Sequence, residues 1–445
     1  MNQEAGTAQA FDAGSMASSI RNVLFGTFTL RFSTGLTGGL IAFYLGHLSE
    51  HGGAIVSAET VGILTAAFYA TELLASPLFG LLSDKLGHHR VMQFGPIFGA
   101  VAVIITGLTT NLLVFGGARV LEGAAAAASI PSILGFLAMA TTNDEALRGR
   151  TSARFELATL GGIGGGTLVA GILYEGIPHV WAGLGALAFF LNAGIYGVSF
   201  LIYRYGVKAP DTPTVRPAGT GYGISRYVGL LRRSHIWLLA PTWIAVNAAI
   251  GVYSGQGLFN LVRIKDPHFD NQLLAGGMSG LEVTLGFVAL GAVFVVGLIF
   301  WGNRFKTTRR TTILFYGIVG GVVLVIGALA FNHSGGLDPL LRSPFALIAA
   351  VGLFVLAGAT PAALGLLADM SEAYPDDRGA VMGLYSVFLG IGQILGSLIG
   401  GFAAEHAAID GLLVATLAMM GVALLPLYYL RRYEHQLDGT PITTA

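Results

Sequence analysis

The sequence predicts an all-α membrane protein in which twelve transmembrane helices form two pseudo-symmetric six-helix bundles. Three observations lead to this prediction. The chain is 54% hydrophobic and only 11% charged, whereas a soluble globular protein carries about 25% charged residues. It contains twelve apolar stretches of membrane-spanning length, and its two halves share a sequence pattern. Composition and stretch length indicate a membrane protein, and the shared pattern indicates a duplicated bundle.

The predicted spans are stretches in which apolar residues continue for about the 20 positions that a helix needs to cross a bilayer. Most connections between them are short and polar. The spans cover residues 20–47, 59–83, 91–110, 112–141, 151–174, 179–203, 236–262, 273–302, 311–332, 345–372, 379–404 and 411–431.

These spans divide the chain into two bundles joined by a longer segment. We expect bundles over residues 20–203 and 236–432, connected by a cytoplasmic linker at 204–235 that is rich in Pro, Gly and Arg. The polar segment 1–19 lacks a basic region followed by an apolar run, so we interpret it as a disordered tail and not as a cleaved signal peptide. A second tail is expected at 433–445.

The basic residues predict the orientation of the chain in the membrane. When both termini are placed in the cytoplasm, 18 of the 24 Lys and Arg residues fall in inner segments, 3 in outer segments and 3 within spans. Cytoplasmic loops of membrane proteins carry such an excess of positive charge. We therefore expect cytoplasmic termini and a location in the inner membrane of a prokaryote.

The two halves are related by a shift of 230 residues. The shift aligns residues 131–149 with residues 361–379 without a gap, so that Pro131 meets Pro361. It also places Glu175 on Glu405, and it places Gly162, Gly166 and Gly171 on Gly392, Gly396 and Gly401. Two homologous bundles with a linker are typical of secondary transporters, whose substrate sites form between such repeats.

The loop after span 2 reads GLLSDKLGHHR over residues 80–90. It resembles the G-x-L-x-D-[RK]-x-G-[RK]-[RK] signature of the major facilitator superfamily, although His88 and His89 occupy the two basic positions. Gly87 allows a sharp reversal of the chain, and an aspartate can accept hydrogen bonds from a helix N-terminus. The resemblance implies a conformational latch formed by Gly80, Asp84, Lys85, Gly87 and Arg90.

Two further motifs resemble this family. RVLEG at residues 119–123 resembles its R-x-x-[QE]-G motif. The glycines of span 5 resemble its antiporter motif G-x-x-x-G-P-x-x-G-G, with Thr167 at the proline position, and their copies in span 11 have Ser397 there. Small residues allow close helix packing in membranes. We expect helix packing and gating surfaces at Gly162, Gly166, Gly171, Gly392, Gly396 and Gly400.

Two pairs of ionisable residues lie within predicted spans, where charges are costly and are functional candidates. Arg31 and Glu72 reach similar depth in spans 1 and 2. Arg119 and Glu122 are three residues apart and share a helix face. We expect proton coupling at these four residues, and the family resemblance implies that role for Arg119. The alternative in each case is a structural pair that joins or stabilises helices.

Polar and aromatic residues on otherwise apolar spans are the candidates for a substrate cavity. Few charges and several aromatic rings suit an amphipathic or hydrophobic substrate. The candidates are Arg31, Trp243, Asn247, Tyr253, Gln256, Glu282, Tyr385 and Gln393.

The sequence indicates a transporter and not an enzyme. It has no cysteine, a net charge of zero, and no phosphate-binding loop or metal-ligand spacing, so we expect no cofactor, metal or nucleic-acid partner. The leading hypothesis is a monomeric, proton-driven exporter of a drug-like or lipid-like compound, with protons and the lipid bilayer as its other partners. The alternatives are proton-coupled uptake of a small organic anion bound by Arg31, and a non-transporting receptor or scaffold.

Overall fold

The computed structural model describes residues 2–141, 145–176, 186–208, 236–304, 307–372 and 378–432. Most of the expected linker (209–235) and the expected C-terminal tail (433–445) lie outside these ranges. The segment expected as an N-terminal tail falls within the first helix, which begins at Asn2.

Within the described ranges the regular secondary structure is entirely helical. The first seven helices are α1 (Asn2–Gly46), α2 (Ala58–Leu86), α3 (His88–Val91), α4 (Phe94–Gly107), α5 (Leu112–Ala140), α6 (Glu145–Gly176) and α7 (Ala186–Gly206). The remaining helices are α8 (Ile236–Gly251), α9 (Gln256–Val262), α10 (Gly280–Arg304), α11 (Arg310–Asn332), α12 (Pro339–Leu356), α13 (Ala359–Glu372) and α14 (Arg378–Arg432).

Each of the twelve predicted spans overlaps at least one described helix, which confirms the all-α membrane fold. Nine helical stretches of the described chain have both the length and the hydropathy to cross a membrane. One of them, Ser386–Arg432, is 47 residues long and covers one predicted span in full and most of another. Non-helical backbone at Ala407 and Ala408 divides it. This break lies between the predicted spans 379–404 and 411–431.

In two of the predicted spans, glycines with positive φ interrupt the apolar sequence. The predicted span 273–302 is helical only from Gly280, since Gly276 and Gly277 have φ of 85° and 79°. The predicted span 236–262 is divided into α8 and α9, with Gly255 at φ 74° between them. Hydropathy does not register these breaks, because the interrupting residues are small or apolar.

Unit 1 comprises Met1–Val56, Ala67–Val215 and Ser279–Thr284. In it, α1 packs against α6 and α7, and α4 packs against α5 and α7. The third segment is the first turn of α10, which therefore belongs to this unit although most of α10 does not.

Unit 2 comprises Ser57–Ala66, Arg216–Met278 and Leu285–Ala445. In it, α8 packs against α14, and α11 packs against α12, α13 and α14. A hydrophobic core that includes Trp243, Leu314 and Phe388 fills the space among these helices. The first turns of α2 belong to this unit.

Candidate functional site

An ion pair lies within unit 1 on helix α5. Arg119 Nη1 donates to Glu122 Oε2; the Glu122 side chain is buried at 6% exposure, and the Arg119 side chain is partly buried at 11%. The guanidinium carbon of Arg119 also lies 4.8 Å from the ring centroid of Phe68 on α2. A cation over an aromatic ring is stabilised by the ring's negative face. Arg119 therefore has two partners, one carboxylate and one aromatic.

Helices α2 and α5 approach closely beside this pair. A methyl group on Gly123 would lie 2.8 Å from Thr71 Cβ and 3.2 Å from the backbone nitrogen of Glu72. Phe68 and Glu72 are four residues apart and hence on the same face of α2. The structure thus brings Glu72 onto the face of α2 that meets Arg119 and Glu122.

Arg31 of α1 is the basic group of a second charged cluster in unit 1. Its charge acts on the carboxylates of both Glu72 and Glu156. The structure therefore places Arg31 within electrostatic reach of Glu72, as the sequence suggested, and adds Glu156 of α6. The Arg31 guanidinium thus influences two carboxylates, one on α2 and one on α6.

A polar network on α1 and α7 adjoins the Arg119–Glu122 pair. Asn192 Nδ2 donates to the carbonyl of Ser33 at 3.2 Å and to Thr37 Oγ1 at 2.8 Å. The hydroxyls of Thr37 and Tyr196 lie 3.4 Å apart, and the charge of Glu122 acts on Tyr196. Asn192 and Tyr196 were missed as candidates, and their signal was two polar groups four residues apart in an apolar span.

Three buried side-chain atoms of this region have no hydrogen-bond partner among the described residues. They are Glu122 Oε1, Asn192 Oδ1 and Ser33 Oγ. Burying an unsatisfied polar atom costs free energy, and buried waters typically satisfy such atoms. The free carboxylate oxygen of Glu122 can accept a proton while the other oxygen faces Arg119. The arrangement is chemically suited to binding and releasing a proton.

Two polar contacts in unit 2 lie near the break between α8 and α9. Ser254 Oγ donates to Gln393 Oε1 at 2.6 Å, and Thr416 Oγ1 donates to the Tyr253 hydroxyl at 3.0 Å. Discontinuous helices often border the binding sites of transporters. Tyr253 and Gln393, both predicted cavity residues, are thus brought near one helix break.

The other predicted cavity residues are placed differently. Trp243 is part of the unit 2 core, and Asn247 Nδ2 donates to the Trp243 carbonyl at 2.8 Å. Gln256 Nε2 donates to the carbonyl of Ala58 at 2.6 Å, so this amide holds the start of α2. The side chain of Tyr385 lies outside the described residues.

Glu282 lies in the first turn of α10 and is exposed. Its Oε2 accepts from the backbone N–H of Ser279 at 2.9 Å, while the Glu282 N–H donates to Ser279 Oγ at 3.3 Å. This reciprocal pair is a capping box. The sequence pattern S-x-x-E at residues 279–282 is the signal that identifies it.

The predicted latch loop joins α2 to α3. Gly87 has φ 94° and donates its N–H to the carbonyl of Ser83 at 2.9 Å, a conformation that favours glycine. His88 Nδ1 lies 3.0 Å from Ser83 Oγ. Lys85 and Arg90 are exposed, Gly80 lies on α2, and the side chain of Asp84 lies outside the described residues.

The span 5 glycines line the contact between α6 and α1 within unit 1. A methyl group on Gly162 would lie 2.7 Å from Arg31 Cβ, and one on Gly166 would lie 2.5 Å from the backbone nitrogen of Leu36. Such distances are too short for a side chain. Gly171 meets α10 instead, because its methyl group would lie 2.8 Å from Gly280 Cα.

The span 11 glycines line the corresponding contact between α14 and α8 within unit 2. Methyl groups on Gly392 and Gly396 would lie 2.5 Å from Asn247 Cβ and 2.7 Å from Gly251 Cα. One on Gly400 would lie 3.0 Å from Val252 Cα. The duplicated glycines therefore make equivalent helix contacts in the two units.

Comparisons with known proteins agree with this architecture. The family described as the Major Facilitator Superfamily matches residues 23–338 and 277–443. Multidrug resistance protein 2 of Bacillus subtilis (strain 168) is 25% identical over 349 residues, which cover 78% of this chain and 80% of that protein. Quinolone resistance protein NorA of Staphylococcus aureus (strain MRSA252) is 22% identical over 391 residues, covering 87% and 90%.

Two solved structures share the fold. The nucleoside transporter NupG superposes with a TM-score of 0.65 at 14% identity, over 94% of this chain and 98% of that chain. A bacterial homolog of the human lysosomal transporter Spinster has a TM-score of 0.67 at 14% identity, over 95% and 98%. The family match covers most of the chain and the fold agrees along its length, so this protein is a multi-pass membrane transporter that belongs to the major facilitator superfamily.

Proposed function

We propose that the protein exports hydrophobic or amphipathic compounds, drug-like or lipid-like, in exchange for protons. The observation that supports this most directly is the buried Arg119–Glu122 pair, in which one carboxylate oxygen of Glu122 has no partner among the described residues. The names of two relatives, a multidrug resistance protein and a quinolone resistance protein, support the choice of export and of substrate class.

Glu122 is the proton carrier in this proposal. A proton binds the free Oε1, the carboxylate loses its charge, and its attraction for Arg119 weakens. Arg119 keeps its positive charge against the face of Phe68, which is an attractive partner in a water-poor environment. The site thus alternates between an ion pair and a neutral acid beside a cation.

Arg31, Glu72 and Glu156 form a second charged cluster that supports proton coupling. Because one guanidinium acts on two carboxylates, the cluster carries a net negative charge when all three groups are ionised. Protonation of either Glu72 or Glu156 would neutralise the cluster.

The alternative function is proton-coupled uptake of a small organic anion bound by Arg31. The two carboxylates that already act on Arg31 disfavour this function, since an incoming anion would have to compete with both of them. A receptor or scaffold without transport activity is the third candidate. The buried ionisable groups of unit 1 are costly in a bilayer, and proton coupling gives them a function that a non-transporting protein would lack.

We place the exporter in the inner membrane of a prokaryote, as a monomer with both termini in the cytoplasm. The distribution of Lys and Arg supports this orientation, and the bacterial sources of the relatives support the location.

Reconstitution into proteoliposomes that contain a pH-sensitive dye tests the proposal. Hydrophobic cations, lipids and small organic anions are added in turn, and proton movement is recorded. We expect proton movement with the hydrophobic or amphipathic compounds. Movement with small anions alone would favour the symporter, and no movement with any compound would favour the receptor or scaffold.

A further inference from the structure

A basic pocket lies at the predicted cytoplasmic end of unit 1, between α7 and the α3–α4 segment. It has a volume of about 510 Å³ and is lined by His89, Arg90, Gln93, Arg204 and Val207. No acidic side chain lines it within the described part of the chain. Helix α7 is held here through its last residue, Gly206, whose carbonyl accepts from Asn22 Nδ2 at 2.7 Å.

The guanidinium groups of Arg90 and Arg204 give the pocket its positive charge. The basic groups of Arg90, His88 and Arg204 all act on His89. Like charges in proximity repel one another, so such a cluster is stabilised by a bound anion. Gln93 adds an amide that can donate a hydrogen bond, although its Nε2 donates to the His89 carbonyl in this structure. The chemistry of the lining matches a phosphate or phosphodiester group.

The surroundings of the pocket indicate which anion it binds. Leu201 and Tyr205, on α7 within one turn of Arg204, are exposed, and exposed apolar residues at this depth face lipid. The Arg204 guanidinium lies 5.9 Å from the Tyr205 ring centroid. Aromatic and arginine side chains mark the headgroup level of a membrane, and basic pockets between helices on the cytoplasmic side bind anionic headgroups.

We propose that this pocket binds the headgroup of an anionic phospholipid. The phosphate lies among His89, Arg90 and Arg204, and the acyl chains extend along the exposed face of α7. This site is distinct from the buried charges of α1, α2 and α5, and it does not depend on which substrate the transporter carries.

Native mass spectrometry of the full-length protein tests the proposal, with phosphatidylglycerol, phosphatidylcholine of the same acyl chains, and inorganic phosphate as probes. We expect phosphatidylglycerol to be retained in preference to phosphatidylcholine. Arg204→Gln should weaken its retention about fivefold, since one basic group near a membrane contributes about that factor. Arg204→Lys should retain most of it, and the exposed control Arg432→Gln should leave it unchanged.

Three results would overturn the proposal. Equal retention of the two lipids by the unmodified protein would show that charge is not recognised. An equal loss in Arg432→Gln would show that only the total charge matters. Displacement of phosphatidylglycerol by equimolar inorganic phosphate would identify a site for a free anion and not for a lipid.

A second inference concerns Glu175 and Glu405, which the 230-residue shift places on one another. Glu175 Oε1 accepts from the backbone N–H of Gly280 at 2.5 Å, within unit 1. Glu405 Oε2 accepts from the backbone N–H of Ala58 at 2.6 Å, within unit 2. Gly280 and Ala58 are the first residues of α10 and α2. Each glutamate therefore caps the start of a helix that is distant in sequence.

These bonds satisfy donors that the helices cannot satisfy themselves. The first N–H groups of a helix have no intrahelical acceptor. Ser57 Oγ accepts from the N–H of Thr60 at 3.1 Å. The N–H of Ala58 donates instead to the Glu405 carboxylate. Ala58 has no exposed surface, so that N–H would otherwise be buried without a partner. A carboxylate at a helix N-terminus also interacts favourably with the helix dipole.

Close backbone packing surrounds both bonds. A methyl group on Gly171 would lie 2.8 Å from Gly280 Cα, and one on Gly401 would lie 3.1 Å from Gly62 Cα. Thr284 Oγ1 donates to the Leu168 carbonyl at 2.9 Å. Each cap thus lies beside a close helix contact, with one glycine of the duplicated motif four residues before each glutamate.

Each cap joins one helix from the first six spans to one from the last six, at the predicted outer ends of both. In a transporter that works by alternating access, the helices of the two repeats separate first on one side and then on the other. We infer that Glu175 and Glu405 are paired latches, which hold these outer helix ends together in this structure and release when the carrier opens outward. The inference rests on family membership and not on the proposed substrate.

A single cysteine provides the reporter, because the chain has none of its own. Thr65 lies on α2 about two turns from Ala58 and is 7% exposed. In proteoliposomes, Thr65→Cys should react slowly with a membrane-impermeant maleimide. Glu405→Ala should increase that rate about tenfold, the change expected for loss of one hydrogen bond to a charged group. Glu405→Gln, which keeps an acceptor, should increase it less.

The control is Glu59→Ala, an exposed acid next to Ala58. An unchanged labelling rate in Glu405→Ala, or an equal increase in Glu59→Ala, would contradict the latch. Size-exclusion chromatography reports whether each variant is folded. If Glu405→Ala is not folded, Glu405→Gln provides the test. A labelling rate of Glu405→Gln equal to that of the unmodified protein would then contradict the inference.

Discussion

Arg119 and Glu122 form a buried ion pair one turn apart on α5, and only one of the two carboxylate oxygens of Glu122 has a partner among the described residues. The pair is short-range in sequence, so α5 alone positions it. The remaining interactions of the site come from α1, α2 and α7. Unit 1 thus encloses a titratable group whose second oxygen is free to take a proton.

Removing the cation should destabilise the protein more than removing the whole pair. Arg119→Gln leaves a buried carboxylate without its counter-charge, which typically costs about 3–5 kcal/mol. The double variant Arg119→Gln/Glu122→Gln should recover most of that loss. Denaturant unfolding of Arg119→Gln, Glu122→Gln and the double variant in detergent measures the coupling. Strictly additive effects of the two substitutions would contradict the buried pair.

Arg31 should affect the pH dependence of transport and not substrate binding. Arg31→Lys keeps a positive charge beside Glu72 and Glu156, whereas Arg31→Gln removes it and makes both carboxylates easier to protonate. We therefore expect the transport profile of Arg31→Gln to move to higher pH. Substrate binding, measured by fluorescence quenching at several pH values, should persist, and its loss at every pH would instead support anion recognition by Arg31.

Gly166 should be intolerant of a side chain because α1 lies directly against it. Gly166→Leu places the side chain against Phe32 and Leu36, so α1 and α6 must separate. We expect transport to fall more than the amount of protein inserted in the membrane. Gly164→Leu is the matched control, since a methyl group there meets nothing within 4 Å. Unchanged transport in Gly166→Leu with normal expression would contradict the tight contact.

Asn192 should stabilise unit 1 through its two donated hydrogen bonds. Asn192→Leu leaves the carbonyl of Ser33 and the hydroxyl of Thr37 without that donor, at a cost of about 1–3 kcal/mol. Thermal unfolding in detergent measures the loss. Leu191→Ala, at an exposed neighbouring position, should change the unfolding temperature little, and equal shifts in the two variants would show that the network contributes nothing specific.

The sequence was sufficient to predict the fold because a membrane span needs a long apolar stretch, and that requirement is local. The breaks at Gly255 and at Gly276–Gly277 were missed, because hydropathy averages over a window and does not detect a change of backbone conformation. The capping box of Ser279 and Glu282 was visible as S-x-x-E, yet the apolar residues before it concealed where α10 begins.

The candidate site was only partly predictable. Arg119 and Glu122 share a helix face at a fixed spacing, so their pairing follows from sequence. Asn192 and Tyr196 join them only because α7 packs beside α1, which no local pattern specifies. Gln256 presents an amide typical of a binding cavity, and the structure instead engages it with the carbonyl of Ala58, nearly two hundred residues away.

Glu122→Gln in proteoliposomes tests the central claim most directly. The variant removes the titratable group but keeps a neutral side chain of similar shape. We predict that it will lose substrate accumulation driven by a pH gradient while retaining substrate exchange in the absence of a gradient. Glu59→Gln, an exposed acid of α2, should retain both. If Glu122→Gln still accumulates substrate in response to the pH gradient as the unmodified protein does, Glu122 is not the proton carrier.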